Sequence, residues 1–112
     1  MGSRQAQTPR APAVKVRIRP SAEDDLSDGF AFYEKQEPGL GAYFLDSLFA
    51  DIDSLALHGG IHRRVHGSHR LLAHIFPFAV YYDVIDDTAH VKAVLDCRRD
   101  PQWIRQKLRD TP

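Results

Sequence analysis

Residues 70–104 read RLLAHIFPFAVYYDVIDDTAHVKAVLDCRRDPQWI, and this stretch decides the fold. Three segments, Arg70 to Phe76, Phe78 to Ile85 and Ala89 to Cys97, are rich in β-branched and aromatic residues and are broken only at Pro77 and Asp86-Asp87-Thr88. Breaks that short join antiparallel neighbours, so a three-stranded meander is expected. In the middle strand Phe78, Val80, Tyr82 and Val84 share one face by alternation, and in the last Val91, Ala93, Leu95 and Cys97 share one. Each face should pack on the helices, with Cys97 as a small core residue. Pro101 suits the first turn of a short terminal helix carrying Trp103, Ile104 and Leu108, with Asp100 at its cap.

Toward the amino terminus, Val14 to Arg19 alternates apolar and basic residues as a half-buried strand does, and Pro20 ends it. Ser21 is placed to cap a helix whose apolar residues Ala22, Leu26, Phe30 and Tyr33 fall on one face until Pro38-Gly39. A second helix from about Leu40 carries Phe44, Leu48, Ile52 and Leu55, widened by Leu45 and Phe49, and stops at His58-Gly59-Gly60. The expected class is α+β: a strand, a two-helix hairpin, a three-stranded antiparallel meander and a short C-terminal helix. Residues 1–13 read as a flexible tail, and residues 14–109 as a single domain.

Among 112 residues, 43% are hydrophobic and 27% charged, an ordinary globular balance. One cysteine excludes an internal disulfide, and no charged stretch precedes an apolar signal core, so the cytoplasm is the expected compartment and no membrane contact is expected. The formal net charge is zero but unevenly spread. Residues 21–57 are strongly acidic, with Lys35 their only cation, whereas residues 58–82 have no carboxylate and carry Arg63, Arg64 and Arg70 with five histidines. Such a split favours a polar partner surface over bulk attraction to nucleic acid.

His58, His62, His66, His69 and His74 invite a metal reading, but Gly59-Gly60 breaks any helix that would align them, and no metal or cofactor is expected. Gly39-Leu40-Gly41 lacks the lysine and hydroxyl of a phosphate loop. Asp24-Asp25 and Asp86-Asp87 belong to a helix start and a hairpin turn. The arginines remain: Arg63, Arg64, Arg70, Arg98 and Arg99 could grip a phosphate or a carboxylate through paired hydrogen bonds.

Taken in order, Ala22-Glu23-Asp24-Asp25-Leu26, YEKQEPGLGAYF at 33–44, RLLAHIFPFAVYYDV at 70–84 and VLDCRRDPQWI at 94–104 resemble the RelE/ParE superfamily, the toxins of type II toxin–antitoxin systems. The resemblance runs from Val14 to Leu108 and is closer to the ParE branch. It implies a cognate antitoxin docking on Leu26, Phe30, Tyr33, Phe44 and Leu48, and assembly as a toxin dimer or a toxin–antitoxin hetero-oligomer. RelE-like members cut messenger RNA on the ribosome. Here Arg70 and Arg98 match their basic positions and His66 or His69 could act as base, but Trp103 or Ile104 stands where a tyrosine is usual. ParE-like members inhibit DNA gyrase by contact, and that is the leading expectation, with Arg63, Arg64, Arg70, Arg98, Arg99 and Trp103 as the target-binding set. A non-toxic interaction module with the same fold is the third reading.

Overall fold

The computed structural model describes residues 14–111, so the expected tail lies outside the described residues. The elements are β1 (Lys15–Ile18), α1 (Pro20–Gln36), α2 (Leu40–Asp53), α3 (Leu55–His58), β2 (Arg64–Val65), β3 (Ser68–Leu72), β4 (Phe78–Ile85), β5 (Thr88–Asp96) and α4 (Pro101–Asp110). The α+β class and its element order match the expectation, with α3 and the two-residue β2 added. Strand β3 ends earlier than its composition suggests. His74 turns away to α2, where its backbone N–H donates to Asp51 at 3.1 Å and its ring meets the same carboxylate.

The sheet order is β1-β5-β4-β3-β2, parallel between β1 and β5 and antiparallel elsewhere. Both tight hairpins use left-handed residues, His66 and Gly67 in one, Asp86 and Asp87 in the other, as two-residue turns between twisted strands require. Helices α1 and α2 cover one face through Ala22, Leu26, Tyr33, Phe44, Leu48 and Ile52, packed on Leu71, Phe78, Val80 and Tyr82. Helix α4 covers part of the other face, burying Ile104 and Leu108 against Ala79, Tyr81, Ala93 and Leu95.

Strand β5 departs from simple alternation. Tyr81 pairs with Ala93 but Tyr82 pairs with Val91, so Lys92 is an extra residue in the ladder. A bulge of one residue exchanges the two faces beyond it. Val91 therefore joins the core under α1 and α2, while Ala93 and Leu95 turn to α4. The expected common face of Val91, Ala93, Leu95 and Cys97 does not exist. Cys97 is exposed rather than core, because the strand ends at Asp96 and the chain turns outward.

The free edge of β5 explains how α1 begins. Strand β1 stops pairing at Val91, and α1 supplies the missing partners. The Arg19 N–H donates to the Val91 carbonyl at 2.9 Å, the Ser21 hydroxyl to the Lys92 carbonyl at 2.7 Å, and the Val94 N–H donates to the Asp25 carboxylate at 3.0 Å. Ser21 is thus a cross-link to the sheet instead of a helix cap; Arg19 holds the cap position and Pro20 opens the helix. At the α1–α2 corner, Glu34 accepts from the N–H groups of Gly39 and Gly41 at 3.0–3.1 Å and does the capping that no short polar residue performs there.

Candidate functional site

Two surfaces present features that a partner could use. The first is a groove of about 370 Å³ on the helical side, lined by Ile18, Glu23, Leu26, Ser27, Phe30, Leu45 and Phe49. It lies where Phe30 on α1 and Leu45 and Phe49 on α2 flank Leu26, with Ile18 of β1 at one end. Phe30 and Leu45 are half-buried and Phe49 is 38% exposed, with Glu23 on the rim. Of the five residues expected to meet an antitoxin, Leu26, Tyr33, Phe44 and Leu48 belong to the core, and Leu26 also forms part of the groove floor. Helical spacing identifies a buried face and cannot separate its centre from its margin; of the five, Phe30 is the half-buried one, at the margin. Tyr33 and Phe44 sit in an aromatic cluster with Phe76 and Phe78, at centroid distances of 4.8–6.2 Å.

The second surface is the corner between β5 and α4. Arg99 lies 3.7 Å over the Trp103 ring, a cation–π contact. Arg98 grips Asp96 through Nε at 3.0 Å and Nη2 at 2.7 Å, and its backbone N–H donates to the same carboxylate at 2.8 Å. The paired guanidinium holds Asp96 below the usual carboxylate range, and Asp96 raises Arg98 in turn. The Asp100 carboxylate accepts from the Gln102 N–H at 2.8 Å and caps α4, as expected from sequence.

Between this corner and α1 lies a pocket of about 280 Å³, lined by residues including Asp25, Asp28, Phe32, Asp96, Arg99, Trp103 and Lys107. Burial raises the pKa of Asp25 from 3.8 to about 6, its bond from Val94 and the nearby Lys107 opposing the rise and Asp28 and Asp24 adding to it. No sequence signal separates Asp25 from Asp24. Only the edge of β5 does so.

The proposed target-binding and ribonuclease residues do not converge on one spot. Arg70 pairs with Tyr81 on the α4 side, where burial raises the tyrosine's pKa and Arg70 opposes the rise. His69, its neighbour, pairs with Tyr82 and faces the helices, since adjacent strand residues point oppositely. His66 occupies the exposed β2–β3 turn, and Arg98 is held by Asp96. Arg63 and Arg64 sit beside that turn, with Arg64 donating to the Gly67 carbonyl at 2.5 Å. A base and a guanidinium acting on one phosphate must lie within hydrogen-bond reach of it together. Arg98, Arg99 and Trp103 do share one corner, and Arg70 reaches its edge, where it and Arg98 oppose the rise that burial gives the Cys97 thiol pKa; His66 and His69 do not join them. Among the described residues no three metal-ligating side chains cluster, and no helix is long and apolar enough to cross a membrane.

Residues 16–101 match the family described as ParE toxin of type II toxin-antitoxin system, parDE. No curated protein matches the chain in sequence. A solved structure titled "Chromosomal ParDE TA system from P. aeruginosa" holds a chain similar in fold, with a TM-score of 0.67 at 13% identity, covering 75% of this chain and 96% of that one.

Proposed function

From the premise that this chain belongs to the ParE toxin family of type II toxin–antitoxin systems, we propose that it arrests growth by binding DNA gyrase and is neutralised by a cognate antitoxin. The observation that carries the binding mode is the dispersal of the acid–base set. His69 and Arg70 point to opposite faces, and the terminal helix offers Trp103 and Ile104, neither of which transfers a proton. A toxin that acts by contact requires no such set. The β5–α4 corner, with Arg99 stacked on Trp103, supplies the aromatic and guanidinium pairing that is over-represented at interface hot spots.

The antitoxin is assigned to the groove across α1 and α2. An apolar segment from the antitoxin would fill the space between Phe30, Leu45 and Phe49, with a basic residue toward Glu23. Purified toxin should block gyrase supercoiling, and adding antitoxin should restore it. Normal supercoiling at large toxin excess, with messenger RNA cleaved in a translating extract, would replace this reading with the ribonuclease one.

A further inference from the structure

Residues 59–63, between α3 and β2, cross the end of the sheet and are tied there through one buried side chain. The Gly60 N–H donates to the Tyr82 hydroxyl oxygen at 3.0 Å, and that oxygen lies 2.5 Å from His62 Nδ1. With the Gly60 N–H on its oxygen, the Tyr82 hydroxyl keeps its O–H free to donate to Nδ1 of a neutral His62, which is the arrangement in which all three groups are paired. His62 is then neutral, with Nδ1 as acceptor and the proton on Nε2. His69 completes the arrangement, its Nδ1–H donating to the His62 carbonyl at 2.6 Å and its ring stacking on Tyr82 at 5.1 Å. Tyr82 is fully buried, so water is poorly placed to replace a lost partner.

The surroundings offer nothing to stabilise a charged His62. Its titratable neighbours are His69 on β3 and His58 at the end of α3, both of which oppose a charge on it, and among the described residues no carboxylate acts on it. Arg63 and Arg64 follow it along the chain. Burial, then the two histidines, lower its pKa below the ordinary imidazole value.

We propose that His62, Tyr82 and His69 form a proton-sensitive latch. Neutral His62 holds the segment leading into Arg63 and Arg64 against the sheet; protonation of Nδ1 removes the acceptor of the Tyr82 O–H, leaves that buried proton without a partner beside two N–H donors, and releases the segment. A lowered value in the closed state means that the open state binds more protons. The latch is therefore complete above the ordinary histidine range and weakens as pH falls through it. This inference is independent of what the arginines bind.

The test is nuclear magnetic resonance on the full chain at about pH 7.5 and about pH 5, reading the His62 ring and the exchange protection of the Gly60 amide. Wild type should show His62 titrating below a free histidine peptide, with Gly60 protection falling several-fold on acidification. His62→Gln cannot gain a proton, and its Gly60 protection should be the same at both pH values. Tyr82→Phe should lower Gly60 protection at the higher pH and move the His62 titration upward. Equal protection of Gly60 at both pH values in wild type, or an undiminished fall in His62→Gln, would overturn the proposal. Should Tyr82→Phe not fold, the His62→Gln comparison decides alone.

Discussion

The groove across α1–α2 and the corner at β5–α4 are built from opposite materials. The groove is apolar, and its Phe30, Leu45 and Phe49 are left incompletely covered, so a partner that covers them gains about 25 cal/mol for each Å² buried. The corner is charged, and its groups already have internal partners: Arg98 holds Asp96 and Arg99 lies on Trp103. A partner there must match contacts that exist before it arrives. If the proposed assignment holds, antitoxin docking at the groove should be tight and area-driven, and target binding at the corner should depend on geometry and salt.

The largest expected effect tests the groove. Replacing Phe30 and Leu45 together by glutamate should weaken antitoxin binding by about 3 kcal/mol or more, measured by calorimetry, while gyrase inhibition persists. If both are lost together, the two surfaces are not separate. Next, Gly29→Ala probes the packing beneath the groove, because an added Cβ would stand 2.5 Å from two ring atoms of Phe44. The α1–α2 contact must widen, and urea unfolding should show a loss of about 1–3 kcal/mol.

A smaller effect is expected for Asp25→Ala, which leaves the Val94 N–H without its acceptor and should cost about 1–2 kcal/mol. Asp25→Asn retains an acceptor and removes the charge. The Asp25 pKa is raised from 3.8 to about 6 in the fold, so its contribution is present below the unfolded value and lost as pH rises through about 6. Stability of wild type relative to Asp25→Asn should therefore fall between about pH 4 and pH 7, by less than about 1 kcal/mol because the group is partly solvated. The smallest change in folding is expected at the corner itself. Arg99→Ala should unfold within about 1 kcal/mol of wild type yet lose gyrase inhibition. Unchanged inhibition would remove the corner from the target site.

Much of the fold is legible in the chain because its signals are local. Pro38-Gly39 separates α1 from α2, Asp86-Asp87 makes a tight hairpin, and Asp100-Pro101 opens α4. The stripe Phe44, Leu48, Ile52 and Leu55 is fully buried as its spacing requires. The candidate surfaces are less legible. Spacing marked Leu26, Tyr33, Phe44 and Leu48 as apolar but could not show that the sheet consumes them, leaving Phe30 with Leu45 and Phe49 for the groove.

By itself, then, the sequence determined the α+β class, the helix breaks, the tight turns and the family resemblance, all of which depend on residue type at short separation. Tertiary structure alone decided the parallel pairing of β1 with β5, the extra residue at Lys92 and the exposure of Cys97. It also converted Ser21 and Asp25 from helix-start residues into partners of a sheet edge more than sixty positions away. The physical reason is that a backbone group left unpaired by one strand must be satisfied by whatever the fold brings beside it, and periodicity carries no record of that neighbour.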